Sequence, residues 1–426
     1  MATLKDLKGL GHAPTLFMAF AYFDMSFMVW TMLGPLSTEI TEALALTGHI
    51  MTAGEKATLL SLPILSGAIL RILLGFGVDK LGAKTTALIS QVIVIAALLT
   101  AYLMGESITY NALLLVALGL GFAGASFAVA LPQAGQWYPP KLQGVVLGIA
   151  GAGNIGVVID FLAAPKIAEI WGWDAVFGVG AFLSTIVLVS YALLAKDAPP
   201  EVYQSNPKKL KDYIKLLQDR DTWWFSLFYA ISFGGFVGFA GYMKVYLMNT
   251  YSVDMAIFGI DVLDEGNVKV VAGYFGAFCI FSGAILRPFG GAIADKIGGI
   301  KALYFFYGAV LLLVVINALV PLPFFMAIFV LFSIMANLGM ANGAVFQLVP
   351  QRFSKDIGIM TGLVGCAGGL GGTVLIKTLG WSKGVFNSYT EGFLIFGGIV
   401  IIAIIGLSIV KNRWRIEEDF ANGGRI

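Results

Sequence analysis

Arg71 and Arg287 stand inside apolar stretches 216 residues apart, and each precedes an aspartate, Asp79 or Asp295, by eight residues. A guanidinium is planar, permanently charged and carries paired N–H donors that suit planar oxyanions. Eight helical residues span about 12 Å, so each arginine lies that far from the polar boundary its aspartate marks. A bilayer's hydrocarbon core is about 30 Å thick, which puts both near its middle if these stretches cross a membrane. A central arginine costs about 2.5–3.5 kcal/mol even on the mildest insertion scale, so each needs a partner. Intramembrane carboxylates are one answer. Asp24 and Asp160 are the candidates, and both fall in the first half of the chain. One small anion held by both arginines accounts for the pair better.

The elements that must position these arginines are membrane helices. Of 426 residues, 58% are hydrophobic and 12% charged, about half the charge of a soluble globular protein. A net charge of +2 gives no reason to expect a nucleic-acid partner. The two cysteines, Cys279 and Cys366, lie in apolar runs and read as reduced thiols. No metal, cofactor or catalytic site is expected. Runs of about 20 apolar residues fall near 14–37, 57–78, 85–104, 111–135, 142–164 and 174–195, then near 222–249, 270–293, 301–320, 324–348, 357–379 and 391–411. The expected fold is therefore all-α, with twelve spans in two six-helix halves, 1–195 and 221–426. A polar linker, 196–220, joins them with paired prolines and a lysine cluster. Lysines and arginines concentrate at both termini, in the linker and at Lys80, Lys84, Lys141, Lys296, Lys301, Arg352 and Lys355. By the positive-inside rule these segments, with both termini, are cytoplasmic.

The halves repeat. Residues 66–82, SGAILRILLGFGVDKLG, and 282–298, SGAILRPFGGAIADKIG, match at ten of seventeen positions, with Arg, Asp and Lys in register. A second echo sets Gly153-Asn154-Ile155-Gly156 against Gly368-Gly369-Leu370-Gly371, at a near-identical offset of 215. Parallel repeats around a midplane site are a transporter arrangement. Gly75-x-x-x-Asp79-Lys80-x-Gly82-x-Lys84 and Gly291-x-x-x-Asp295-Lys296-x-Gly298 resemble the loop signature of the major facilitator superfamily. Their glycines permit tight turns, and their charged pairs can hold helix ends in one of two states. Two guanidinium forks suit a monoanion such as nitrate, nitrite or bicarbonate, and the residues alone do not choose among them.

Glycines crowd the fifth and eleventh spans, from Gly144 to Gly156 and from Gly362 to Gly372. Small residues allow close helix packing in membranes and also bare backbone to a cavity. The GAGNIG stretch (151–156) resembles the nitrate signature of the nitrate/nitrite porters, the NarK-type branch of the same superfamily. So do the SGAILR repeats, SFMVW in the first span, GFAGASF in the fourth and FYAISFGGFVGF in the seventh. The resemblance implies that Arg71 and Arg287 clamp the anion, with Asn154 and Tyr229 as hydrogen-bonding partners. It further implies apolar walls from Phe27, Phe127 and Phe233, and helix sliding at Gly153, Gly368 and Gly371. The eleventh span departs from the signature, carrying Gly369 where the fifth has Asn154.

Two couplings are compatible with such a site. Nitrate–proton symport is the expectation, since shorter relatives of this kind are generally symporters; nitrate/nitrite exchange is the alternative, and transport of another small anion a further one. Asp24 and Asp160 are the coupling candidates, because ionisable groups inside a membrane are functional by default. His12 and His49 lie outside the spans. A sugar or drug facilitator would keep the loop signature without the arginine pair, and a membrane enzyme would need clustered histidines or paired carboxylates. The expectation is a monomer in the inner (plasma) membrane whose partners are nitrate or nitrite, protons and the lipid bilayer.

Overall fold

A computed structural model describes residues 11–139, 142–199, 210–256, 265–353 and 357–416. Lys141 and Lys355, counted in the charge bias, lie outside these residues. All regular structure among the described residues is helical. The first half contains α1 (Ala13–Thr31), α2 (Ser37–Leu46), α3 (Ala53–Leu81), α4 (Ala83–Met104), α5 (Tyr110–Gly124), α6 (Phe127–Gln136), α7 (Gln143–Gly151), α8 (Gly156–Trp171) and α9 (Trp173–Leu194). The linker contributes α10 (Leu210–Leu217). The second half contains α11 (Arg220–Ala256), α12 (Glu265–Ile297), α13 (Gly299–Leu319), α14 (Phe324–Arg352), α15 (Ile357–Phe386) and α16 (Thr390–Ile416).

Eleven helical segments among the described residues are long and apolar enough to cross a membrane. The remaining one of the expected twelve is α1, whose apolar run is diluted by Asp24 and by hydroxyl-bearing residues. Two expected spans are not continuous helices. The fourth is α5 followed by α6, and the fifth passes from α7 through a 3₁₀ segment, Ala152–Ile155, into α8. The interruption falls on the GAGNIG residues, where closely spaced glycines hold α-helix weakly.

Local chemistry sets the helix ends. His12 caps α1 by accepting from the Thr15 N–H at 3.2 Å, and Pro14 sits in the first turn, where its missing N–H costs nothing. Before α3, Thr52 and Glu55 bond reciprocally, Thr52 N to Glu55 Oε2 at 2.8 Å and Glu55 N to Thr52 Oγ1 at 3.2 Å, a capping box. Gly82 (φ 84°) and Gly298 (φ 97°) end α3 and α12 in a backbone conformation that other residues rarely adopt. The sequence repeat is thus also a repeat of backbone geometry.

The chain gathers into two compact units, Met1–His49 with Leu62–Tyr213, and Ile50–Ser61 with Ile214–Ile426. The start of α3 therefore belongs with the second unit, where Lys377 Nζ bonds the Thr58 hydroxyl and Ala57 faces Gly380. In the first unit, Trp137 Nε1 donates to Lys196 O at 2.9 Å and Lys196 N donates to Thr15 Oγ1 at 2.9 Å. The second unit is tied differently. Asp221, 2% exposed, accepts from Arg352 Nε at 2.8 Å and Trp414 Nε1 at 2.9 Å, and also pairs with Arg413. Sequence reading counted Arg352 and Arg413 only toward the charge bias.

Candidate functional site

In the first unit Arg71 is 2% exposed. Its Nε donates to Gly124 O at 3.1 Å. Its guanidinium carbon lies 5.6 Å from the ring centres of both Trp30 and Phe127, within range of cation–π attraction. Trp30 is fixed in turn, its Nε1 donating to Pro63 O at 2.8 Å. Phe27 packs on Trp30 at 5.0 Å and on Phe23 at 4.4 Å, and Phe23 reaches Phe127 at 5.8 Å. The result is an aromatic collar around one buried charge.

The 3₁₀ segment brings Asn154 to this unit's interior, 5% exposed, with an Oδ1 that has no hydrogen-bond partner among the described residues. Its glycines explain the placement. A Cβ on Gly153 would stand 2.7 Å from the Asp24 backbone nitrogen and from Phe23 Cδ1, and one on Gly156 would overlap the Asp24 carbonyl. Only glycine lets α1 and this segment touch backbone to backbone. Asp24 therefore sits where the signature crosses α1, and its Oδ1 is buried without a partner among the described residues. Asp160 is buried in α8.

The second unit repeats this arrangement with different side chains. A Cβ on Gly368 would stand 2.6 Å from Tyr229 Cδ1 and 2.8 Å from Phe233 Cδ1, and one on Gly371 would overlap the Ala230 carbonyl. Tyr229, Ala230 and Phe233 thus take the places of Phe23, Asp24 and Phe27, each 206 residues on. Tyr229 and Phe233 stack at 5.1 Å with 5° between their rings. Here the glycines stay within the continuous helix α15, and Gly369 supplies no amide.

Arg287 is half-buried. Its guanidinium carbon lies 5.5 Å from the Phe346 ring centre, and Phe346 meets Tyr229 edge-on at 5.0 Å. Arg287 Nη1 is buried and has no hydrogen-bond partner among the described residues. Each arginine is thus joined within its own unit to expected site residues: Arg71 to Phe127 and, through the aromatic collar, Phe27; Arg287, through Phe346, to Tyr229 and Phe233.

Sequence reading missed Trp30, Phe23 and Phe346. A signal for Phe346 was present. Gly121, Ala123, Pro132 and Gln133 recur as Gly339, Ala341, Pro350 and Gln351, all 218 residues on. That register places Phe346 one residue from the position of Phe127.

The two loop motifs differ in their surroundings. Asp79 is partly buried, and Tyr213 of α10 lies over this end of α3, 4.8 Å from the Phe76 ring. Burial, with the Asp79 charge beside it, pushes the Tyr213 phenol pKa up. Lys80, Asp295 and Lys296 are exposed.

Residues 16–376 match the family model described as Major Facilitator Superfamily. Among curated proteins, the chain is 30% identical to a nitrite extrusion protein of Bacillus subtilis, covering 89% of each chain. It is 30% identical to a probable nitrate/nitrite transporter, NarK2, of Mycobacterium tuberculosis, over 92% of this chain and 95% of that one. It is 28% identical to a probable nitrate/nitrite antiporter, NarK1, of Thermus thermophilus, over 83% and 81%. Among solved structures, a bacterial homologue of the human lysosomal transporter Spinster superposes with a TM-score of 0.69 at 16% identity, over 93% and 96% of the two chains. The nucleoside transporter NupG superposes with 0.64 at 18% identity, over 92% and 99%. At these identities the two structures speak for the fold alone.

Proposed function

We propose that this chain, which belongs to the major facilitator superfamily and to the nitrate/nitrite transporters within it, moves nitrate across the membrane by alternating access and also accepts nitrite as a substrate. It is a multi-pass membrane transporter, not an enzyme. The observation that carries the substrate reading is the arginine pair. Each guanidinium is held against an aromatic ring in its own unit, and Arg287 keeps a buried N–H donor with no protein partner among the described residues. Nitrate offers only acceptors, so donors must surround it: the two arginines, the Asn154 amide and the Tyr229 hydroxyl. Phe27, Phe127 and Phe233 exclude water from these bonds and so strengthen them.

Alternating access follows from charge. In the proposed site a bound monoanion offsets the positive charge of the arginines and permits closure. The glycine crossings at Gly153, Gly368 and Gly371 let helices slide without side-chain interlock. Net uptake needs a route back without a second anion, and Asp24 suits a proton carrier there, at the crossing of α1 and the signature. Nitrate–proton symport is therefore the preferred coupling. Exchange of nitrate for nitrite is the second reading, favoured by the half-buried Arg287, whose charge has to be countered before closure. The lysine and arginine bias puts both termini and the linker on the cytoplasmic face of the inner membrane.

Uptake of labelled nitrate into liposomes separates the two couplings. Symport predicts accumulation driven by an acid-outside gradient into vesicles that contain no nitrite. Uptake that requires internal nitrite and ignores the gradient makes the protein an exchanger.

A further inference from the structure

The second half lacks an amide at Gly369, yet it holds one elsewhere. Asn342 lies within α14, is 2% exposed, and its Oδ1 is buried with no hydrogen-bond partner among the described residues. Buried amide oxygens in native proteins are bonded in the great majority of cases, so an exception asks for an explanation. Two contacts made by its helix neighbours bring this turn of α14 to Arg287. The next residue, Gly343, lies so close that a Cβ there would overlap the Arg287 carbonyl. Phe346, whose ring carries the Arg287 guanidinium at 5.5 Å, is one helical turn on and shares the Asn342 face.

The repeat adds a third observation. In the 218-residue register that pairs Gly121 with Gly339 and Pro132 with Pro350, Asn342 takes the place of Gly124. Gly124 supplies the carbonyl that accepts from Arg71 Nε at 3.1 Å. The first half thus holds its arginine with a backbone oxygen, and the second sets a side-chain oxygen at the equivalent position. The unpartnered atoms are complementary, an acceptor on Asn342 and a donor, Nη1, on Arg287.

We propose that Asn342 is a positioning residue of the anion site: its Oδ1 accepts from Arg287 Nη1 when the anion binds, and its Nδ2 donates to an anion oxygen. This rests on the reading of Arg287 as an anion ligand. An amide suits both tasks, since one end accepts while the other donates. The bond also turns the Arg287 fork toward the ligand, which supplies a selectivity element in the half that has no Asn154 equivalent.

The test uses the full-length protein in detergent, with nitrate titrated against its melting temperature. In Asn342→Leu, of similar volume, the nitrate midpoint should rise about tenfold, the loss of one or two hydrogen bonds to charged groups, while ligand-free melting stays close to wild type. Asn342→Ser, smaller and polar, serves if the leucine variant does not accumulate, and should raise the midpoint by severalfold. Asn342→Asp reads reach directly. Its carboxylate should pair with Arg287, abolish the nitrate shift and leave melting near wild type, whereas in an Arg287→Leu background the same aspartate should lower melting sharply. A wild-type nitrate midpoint in the leucine or serine variant overturns the proposal, as does an aspartate equally harmful with and without Arg287. Absence of any nitrate shift in the wild-type protein instead overturns the substrate reading beneath it.

Discussion

Arg71 and Arg287 occupy matching places in two repeats, yet their surroundings assign them different burdens. Arg71 is almost fully enclosed, held by the Gly124 carbonyl and flanked by Trp30 and Phe127. Arg287 is half-buried and rests on one ring, Phe346. The glycine crossings differ in the same sense. The first half breaks its helix to present Asn154 beside Asp24, and the second keeps an unbroken α15 against Ala230. If the arginines bind the anion as proposed, one half is a fixed cradle and the other the part that adjusts. A repeat thus conserves where a charge stands while leaving how it is held to each half.

The largest expected effects test whether both arginines bind the anion. Arg71→Lys and Arg287→Lys should each reduce nitrate uptake into vesicles by at least about a hundredfold, because a lysine keeps charge but loses the fork. They should differ in stability. Arg71→Lys gives up the Gly124 bond and two ring contacts and should melt clearly lower than wild type, while Arg287→Lys should melt within a few degrees of it. Equal melting losses in the two variants erase the distinction between cradle and adjustable half.

Next in size are the rings that carry the charges. Trp30→Ala removes a 1%-exposed side chain and should cost about 3–5 kcal/mol of stability, seen in denaturation of the purified protein. Phe346→Ala should weaken nitrate binding more than Trp30→Ala does per degree of melting lost. The opposite ranking would place the adjustable site in the first half.

Smaller are the glycine crossings. Gly156→Ala and Gly371→Ala each push a methyl into a facing carbonyl, Asp24 or Ala230, and overpacking of this kind costs about 1–3 kcal/mol. Both should slow transport by more than their stability loss explains. Unchanged uptake in both variants would remove sliding at these crossings from the mechanism. Smallest on stability is Asp24→Asn, which keeps shape and should leave melting nearly unchanged. Its signature is kinetic: nitrate uptake should no longer respond to a pH gradient, and a preserved response clears Asp24 of the coupling role.

Much of this was legible in the sequence because charge in a membrane helix is costly and therefore informative. Arg71, Arg287 and the loop motifs stood out against apolar background, and their common offset exposed the repeat. The break of the fifth span at Ala152–Ile155 was not legible, since glycine-rich apolar residues read alike in a helix and in a 3₁₀ turn. Trp30 was hidden for a similar reason, whereas Phe346 carried a signal in the 218-residue register. Aromatic residues abound in membrane spans, and only the fold shows which of them lie against a guanidinium. Asn342 was overlooked because its repeat partner is a glycine, so no side chain recurred to mark it.

Calorimetric titration of the purified protein with nitrate, beside Arg71→Lys and Arg287→Lys, tests the shared site most directly. One anion should bind per wild-type chain, and neither variant should show measurable binding over the same concentrations while both remain folded. Wild-type affinity in either folded variant would contradict the arginine clamp.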